Sequence, residues 1–437
     1  MKIARPTRRA LHLMGAAVLS ATVLSPLAEP AKAQDVTIKM WTLVEEGYPE
    51  FIQLAAEEFK KTHPNVTIVH EPIANEAYKS AIQVALAGAE PPDVFFNWSG
   101  EDAQRFIRDG LVLDITDYGS GPDGFKSKIS ASWLAAFEKD GRNYGVPTEA
   151  VSKYFYYNKG FFEENNLTVP ADFDGVLGLC KKIREIDPSM VPLPLGNSER
   201  WKLIHYITML NDRIVGSKDT ADDYALTAPD DQLFADPGYA EAFQKILDMK
   251  AAGCFQDAPN ATSPEASRSM FSAEVSPMIY CGTWCAGIFD AEGFANYAMF
   301  RMPPVAGGRG DPNTNFLVPQ GLQVSAKSKN PEIAAAWINF MVSDAMAAKF
   351  AEIKKSIPSN PASIDTAANT TEQFRWIVKD IATFSEGINV LDVLLEQSVS
   401  EAYMNAGVEL LNGALTPQQA IEQVRTAALA AKQKKTQ

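Results

Sequence analysis

The fold of this chain is decided by residues 36–98, in which three strand-like stretches read VTIKMW at 36–41, VTIV at 66–69 and DVFFNW at 93–98. The first stretch alternates in polarity, the second is β-branched, and the third is an apolar run of the kind that parallel sheets bury on both faces. Two segments with helical spacing of apolar residues separate these stretches. The pattern predicts a parallel α/β domain, which binds ligands at the carboxyl ends of its strands.

Residues 1–33 have the features of a cleavable export signal. A basic start is followed by an apolar stretch at 10–24 and by Ala31-Lys32-Ala33, a small-residue cleavage site. The apolar stretch is too short for a transmembrane anchor, and no cysteine follows it that could carry a lipid. We therefore expect a free, soluble protein in a Gram-negative periplasm. The pair Arg8-Arg9 leaves both the general secretory and the twin-arginine routes open.

Length and charge limit the classes of partner. The chain has 437 residues, with 40 Lys and Arg against 54 Asp and Glu, and its formal net charge is -14. Removing the basic segment 1–33 would leave a still more acidic chain. A strongly acidic protein is a poor ligand for nucleic acid or for an anionic membrane surface, so we expect neither as a partner. The length suits two lobes of ordinary domain size.

Four cysteines lie in the middle of the chain, at Cys180, Cys254, Cys281 and Cys285. An oxidising compartment permits one or two disulfides, and four cysteines allow three full connectivities, among which the sequence does not choose. The C-x-x-x-C spacing of the last pair could also be read as metal ligands, but no histidine lies near it. We expect no metal site, and without a phosphate loop or a dinucleotide motif we expect no cofactor.

Several segments, taken in order, resemble the family 1 extracellular solute-binding proteins of bacterial ATP-binding-cassette importers, especially the sugar binders. The resemblance covers nearly the whole chain after residue 33, and the order and spacing of its pieces are more specific than any piece alone. The pieces are FKKTHPNV at 59–66, AGAEPPDV at 87–94, YYNK at 156–159, GTW at 282–284 and AAAWINF at 334–340.

The resemblance implies an α/β, two-lobed periplasmic binding protein fold of type II, with a mainly parallel sheet in each lobe. It places an N-terminal lobe at 34–147 and 303–357, and a C-terminal lobe at 148–302 and 358–437. Hinge crossings would join the lobes and allow them to close on a ligand. It also implies a non-enzymatic monomer that captures a sugar, either a mono- or oligosaccharide or a sugar alcohol, and delivers it to an inner-membrane permease.

Sugar binding requires aromatic faces for stacking and charged or amide groups for the ring hydroxyls. By resemblance, such groups follow the first and third strands of the N-terminal lobe. They are Trp41, Glu45, Glu46, Asn97, Trp98 and Glu101. Other roles remain open, because Glu45 and Glu46 would also suit the start of a helix, and Trp98 would also suit a core.

The rest of the expected site comes from the crossings and from the C-terminal lobe. By resemblance it comprises Glu149, Glu199, Trp201, Trp284 and Gln320. Trp284 lies in a Gly-x-Trp turn of the kind that directs the ring into the cleft, whereas Gln320-Gly321 departs from the usual glycine pair. Glu149 would also suit a solvated strand edge, Trp201 could pack behind a helix start, and Trp284 could belong to a core.

Two alternatives differ in class from sugar capture. A glycoside-acting enzyme would need two carboxyl groups about 5–9 Å apart, for which Glu45 and Glu199 are candidates, but no catalytic motif singles them out. A polyamine or another organic cation could be enclosed by Trp98, Trp201 and Trp284. Turnover of the sugar would identify the enzyme, and binding of polyamines alone would identify the cation binder.

Overall fold

In a computed structural model, which describes residues 34–435, the three stretches quoted above form neighbouring parallel strands. They are β1 (Val36–Leu43), β2 (Val66–Ile73) and β3 (Val94–Trp98), and β1 lies between the other two. The two predicted helices connect these strands as α1 (Tyr48–Lys60) and α2 (Asn75–Ala87), and a further helix, α3 (Glu101–Arg108), follows β3. The predicted α/β start of the chain is therefore confirmed.

Helix α1 shows how the local sequence produces this arrangement. Pro49 lies in its first turn, where the missing N–H costs no hydrogen bond, and the helix ends before Pro64. Phe51 and Phe59, both almost fully buried, face the core beneath the sheet. There Phe59 packs edge-on against the buried Trp337 with ring centroids 5.3 Å apart.

Three later segments complete a six-stranded sheet. They are β6 (Val146–Val151), β11 (Val318–Val324) and β12 (Ile357–Pro358), which give the order β12-β6-β11-β3-β1-β2. Strand β11 runs antiparallel to both β3 and β6, and β12 runs antiparallel to β6. Among the described strands of this sheet, only the pairings of β1 with β2 and β3 are parallel, so the sheet is mixed and the expectation of a mainly parallel sheet is wrong for it. The short strands β4 (Glu138–Lys139) and β5 (Arg142–Asn143) form a hairpin that precedes β6.

The second sheet has three strands, β7 (Lys153–Asn158), β8 (Met278–Gly282) and β9 (Tyr297–Phe300), in the order β8-β7-β9. Both pairs are antiparallel, so the expectation of a parallel sheet in this lobe is wrong. The cause lies in the central strand, where Phe155 joins one core and Tyr154 and Tyr156 join another. Burial on both faces produces an apolar run whatever the direction of the neighbouring strands.

The remaining elements are mostly helices that cover the two sheets. Before and around the second sheet lie α4 (Phe125–Lys128), α5 (Ala131–Leu134), α6 (Lys159–Glu164), α7 (Phe173–Ile186), α8 (Trp201–Ile214), α9 (Ser217–Ala225), α10 (Pro237–Ala251), α11 (Pro264–Ser272) and α12 (Trp284–Ala291). After it lie α13 (Pro331–Met341), α14 (Asp344–Lys354), α15 (Glu372–Ile381), α16 (Leu391–Leu394), α17 (Gln397–Leu411) and α18 (Pro417–Lys435). Strands β10 (Asn315–Phe316) and β13 (Gly387–Ile388) pair in parallel.

The chain passes directly between the two sheets. Ser152 separates β6, in the six-stranded sheet, from β7, in the three-stranded sheet. Leu317 separates β11 from β10, which pairs with β13 in a two-stranded sheet. The lobe boundaries given above stay a prediction, and the predicted signal peptide at 1–33 lies outside the described residues. None of the helices within residues 34–435 combines the length and apolar character needed to cross a bilayer.

All four cysteines are paired. One disulfide joins Cys180 on α7 to Cys254 after α10, and the other joins Cys281 on β8 to Cys285 on α12. The structure thus selects one of the three connectivities that the sequence allowed. All four residues are fully buried.

Candidate functional site

A cleft of about 900 Å³ lies between the two sheets, at the upper end of the usual range for small-molecule sites. Its walls come from the end of β1, the end of β3, the crossings near Ser152 and Gln320, and the starts of α8 and α12. Of the eleven residues predicted for the site, seven line this cleft. They are Glu45, Glu46, Trp98, Glu199, Trp201, Trp284 and Gln320.

Three half-buried tryptophans supply the aromatic surface of the cleft. Trp98 ends β3, whereas Trp201 and Trp284 are the first residues of α8 and α12. The rings of Trp201 and Trp284 lie 6.2 Å apart at 60°, and Trp98 packs edge-on against Phe96 at 5.0 Å. Each ring is therefore held from one side by protein and keeps part of its surface free for a ligand.

The Gly-x-Trp turn has a steric reason. A Cβ atom placed on Gly282 would lie 1.8 Å from the ring of Trp284, so only glycine permits this ring position. Trp201 is held differently, because its indole N–H donates to Glu199 Oε2 at 2.8 Å. The carboxylate and the aromatic ring predicted for this lobe thus form one unit that lines the cleft.

Glu45 and Glu46 lie in the turn between β1 and α1. Glu45 forms an ion pair with Lys354 at the end of α14, and the buried Lys354 also pairs with Glu149. Burial raises the pKa of Glu45 although Lys354 opposes the shift, while Glu149 and Glu45 outweigh burial and raise the pKa of Lys354. Lys354 thus offsets one of the two carboxylate charges in this triad, which keeps a net charge of -1 when all three groups are ionised.

Glu149 itself lies behind the cleft wall. It is 2 % exposed, accepts a hydrogen bond from Gln320 Nε2 at 3.0 Å, and accepts another from the Ser356 hydroxyl. The alternative of a solvated strand edge is excluded by this burial. Glu149 therefore reaches the cleft through Gln320 and Lys354, both of which line it.

The other three predicted residues do not line the cleft. Trp41 lies within β1, which continues to Leu43, so the ring packs along the sheet instead of at the strand end. Asn97 points the other way from Trp98 and donates to Gln323 Oε1 on β11 at 2.7 Å. Glu101 pairs with Arg108 and lines a neighbouring cavity of about 230 Å³.

Sequence reasoning missed several ionisable residues of the cleft wall, and three of them form a chain of contacts. Lys153 Nζ lies 2.7 Å from His205 Nδ1, and His205 Nε2 lies 3.0 Å from Asp392 Oδ1. Burial lowers the pKa of Lys153 well below its usual value and, with Lys153 nearby, lowers that of His205 to about 4. The neutral imidazole therefore donates to Asp392 and accepts from Lys153.

One of these residues left a signal in the sequence. Lys153 is the single charged residue within the aromatic strand β7, and a lone charge in a buried strand needs a partner or a function. Asp392, Lys354 and Lys79 come from helices whose sequences do not distinguish them from ordinary surface residues. Within residues 34–435 no cluster of histidine, cysteine or carboxylate side chains suits a metal ion.

Comparison with known proteins identifies the class to which this fold and cleft belong. Residues 55–374 match the family described as bacterial extracellular solute-binding protein. An uncharacterized ABC transporter extracellular-binding protein of Pyrococcus horikoshii is 24% identical over 77% of this chain and 78% of its own length. A multiple sugar-binding protein of Streptococcus mutans is 22% identical, over 78% of this chain and 79% of its own length.

Among solved structures, a protein from work on xylan utilization by Caldanaerobius polysaccharolyticus has the same fold. The TM-score is 0.83 at 24% identity, and the match covers 90% of this chain and 99% of the other. The two-lobed solute-binding fold expected from the sequence is therefore confirmed.

Proposed function

This chain belongs to the family of bacterial extracellular solute-binding proteins, and we propose that it captures a sugar in its cleft and delivers it to an ABC permease. The observation that carries the proposal is the set of three half-buried tryptophans, Trp98, Trp201 and Trp284, which line one cleft from both of its walls. Such faces stack on the apolar surface of a pyranose ring and exclude water from it.

Polar groups beside the rings suit the hydroxyls of a sugar. Glu199 holds the indole of Trp201 and keeps a second carboxylate oxygen for a ligand, while Glu46 is exposed at the mouth of the cleft. Carboxylates form charge-assisted hydrogen bonds that exceed those of neutral acceptors. The volume of about 900 Å³ suits an oligosaccharide as well as a monosaccharide.

Capture proceeds by closure of the lobes. In one wall, Trp98 ends strand β3 of the six-stranded sheet. In the other wall, Trp201 and Trp284 begin helices beside the three-stranded sheet. Rotation about the crossings would bring the second wall onto a ligand already bound to the first. Only the contacts that form in the closed state favour closure, so the ligand must touch both walls.

Family membership makes this an exported binding protein. We propose that it acts in the periplasm as a monomer after cleavage of residues 1–33, and that a membrane permease accepts the closed form. The sugar is returned unchanged, which separates this function from a glycoside-acting enzyme. Lys79, Lys153 and Arg268 line the cleft and disfavour a polyamine as the solute.

A ligand screen tests the proposal directly. The mature protein, stripped of ligand by unfolding and refolding, is heated with mono- and oligosaccharides, sugar alcohols and polyamines. A ligand at ~100 times its dissociation constant should stabilise the folded state by about 2.7 kcal/mol. Thermal shifts with polyamines alone, or hydrolysis of a bound sugar, would contradict sugar capture.

The Trp284→Ala variant tests the site. Removal of the ring should weaken binding by about tenfold or more, because the ligand loses a stacking face worth at least ~1.5 kcal/mol. The matched control is Trp376→Ala, which removes an exposed tryptophan on α15 outside the cleft. Equal affinity of the two variants would remove Trp284 from the site.

A further inference from the structure

Two buried lysines flank the ring of Trp201 in the C-terminal wall of the cleft. Lys153 Nζ lies 5.6 Å from the ring centroid and Lys202 Nζ lies 4.7 Å from it. Each residue is only 2 % exposed. Lys153 lines the cleft itself, and Lys202 lies behind the ring. The positive charge of this wall is thus concentrated beside one aromatic face.

Neither lysine has a carboxylate partner within ion-pair distance among residues 34–435. Lys153 Nζ contacts His205 Nδ1, whose neutral ring supplies one acceptor for three donor positions. Within residues 34–435, the hydrogen-bond partner of Lys202 Nζ is the disulfide sulfur Cys281 Sγ, at 3.6 Å. A sulfur atom is a weak acceptor, so Lys202 has no strong hydrogen-bond partner there, and Glu265 and Glu199 favour its charged form only from beyond ion-pair distance.

Three of the six acidic residues that line the cleft are in the opposite situation, because each already contacts a basic side chain. Glu45 pairs with Lys354, Asp392 with His205, and Glu265 with Arg268. Arg268 also lines the cleft and adds positive potential next to Lys202. Buried charges are ordinarily paired, and a buried amine without an anionic partner tends to lose its proton, so an anion in the cleft would stabilise the charged form of these two amines.

We propose that the sugar captured here is anionic, and that its carboxylate or phosphate group binds against Lys153 beside Trp201, with Lys202 and Arg268 adding positive potential. The inference rests on the proposed function and names the substrate class of the same site. A pyranose ring stacked through its C–H face on Trp201 would carry its acidic substituent toward Lys153. A sugar acid and a sugar phosphate share this chemistry.

Binding of an anion should be linked to uptake of a proton. Lys153 faces His205 and Lys202 on α8, Asp392 on α16 and Tyr280 on β8, while Lys202 also faces Arg268, Glu265 and Glu199. Burial, with Arg268 nearby, lowers the pKa of Lys202 to about 7, and burial with Lys202 nearby lowers that of Lys153. An anionic ligand favours the protonated amines, so its affinity should fall as the pH rises above 7.

Matched sugar pairs provide the test. Binding to the mature protein is measured by calorimetry for galacturonate with galactose, glucuronate with glucose, their disaccharides, and the 6-phosphates. We expect the acidic member of one pair to bind at least about tenfold more tightly at pH 7. Two buffers of different ionisation enthalpy should reveal proton uptake with that ligand and none with its neutral counterpart.

The outcomes separate this inference from the proposed function. A preference for the phosphate over the carboxylate supports an anionic sugar and identifies its source. Equal or tighter binding of the neutral member in every pair overturns the inference and leaves sugar capture standing. Binding of no sugar in the panel overturns both.

Variants locate the anion. Lys153→Met should abolish the preference for the acidic sugar, and Lys153→Arg should retain it, whereas Lys182→Met, which removes an exposed lysine on α7, should behave as wild type. A retained preference in Lys153→Met would overturn the role of this amine. Should Lys153→Met fail to fold, proton uptake by the wild-type protein still tests the proposal. Uptake with the acidic sugar and none with its neutral counterpart supports an anionic ligand, and no uptake with either overturns it.

Discussion

Lys354 and Lys153 are buried lysines in the wall of one cleft, yet their surroundings differ in charge. Lys354 pairs with Glu45 and Glu149, and burial there keeps the ammonium protonated. Lys153 has a neutral imidazole as its partner, and burial there disfavours the ammonium. The contrast indicates that Lys354 stabilises the folded protein through its ion pairs, whereas Lys153 lacks an anionic partner that a ligand can supply.

The largest effect on folding is expected from Lys354→Met. It leaves Glu45 and Glu149 close together and buried without their cation, which should lower the free energy of unfolding by about 3–5 kcal/mol at pH 7. Urea denaturation measures the change. At lower pH the loss should shrink, because burial raises the pKa of Glu45 and protonation of this carboxylate removes one of the two uncompensated charges.

The control for this prediction lies one turn earlier on α14. Lys349 is exposed and pairs with Glu352 at 2.7 Å, so Lys349→Met should change the free energy of unfolding by less than about 1 kcal/mol. A similar loss in both variants would mean that the Lys354 triad is no more than a surface ion pair in energetic terms.

The next effect is a dependence of stability on pH. The pKa of Lys202 is about 7 in the folded chain because of burial and Arg268, and it returns to about 10.4 on unfolding. Between these values the unfolded chain binds more protons, so the free energy of unfolding should rise with pH, by at most ~1.4 kcal/mol per pH unit for one proton. Denaturation series at pH 7, 8 and 9 measure the slope.

Lys354 provides the control for this pH dependence. Lys202→Met should reduce the slope, whereas Lys354→Met should leave it unchanged over this range because the pKa of Lys354 is raised and its amine stays protonated in both states. Equal slopes in wild type and Lys202→Met would show that Lys202 is already hydrated and charged in the folded chain.

Much of the fold could be predicted because its first part is local in sequence. Apolar periodicity located β1, α1 and α2, and the resemblance located the Gly-x-Trp turn before α12. Strand direction in the second sheet could not be predicted in this way. The aromatic run of β7 reflects burial on both faces of the strand, and it does not show whether the neighbouring strands run parallel or antiparallel.

The site was predicted where one short segment determines it. Trp98 ends a strand and Trp284 begins a helix, and their rings line the cleft. Trp41 was misplaced because β1 runs two residues further than its alternation indicates. Lys354 and Asp392 approach the site from segments more than 180 residues away from Glu149 and His205, and only tertiary structure can bring such pairs together.

The smallest change in folding stability is expected from Lys153→Met, and this makes it the most discriminating comparison with Lys354→Met. The substitution keeps the unbranched shape and most of the length of the side chain and removes a buried amine that has no carboxylate partner, so stability at pH 7 should change by less than about 1 kcal/mol or increase. Urea denaturation of the ligand-free variant measures this. A loss of several kcal/mol would show that the contact of Lys153 with His205 stabilises the fold, as the ion pairs of Lys354 do.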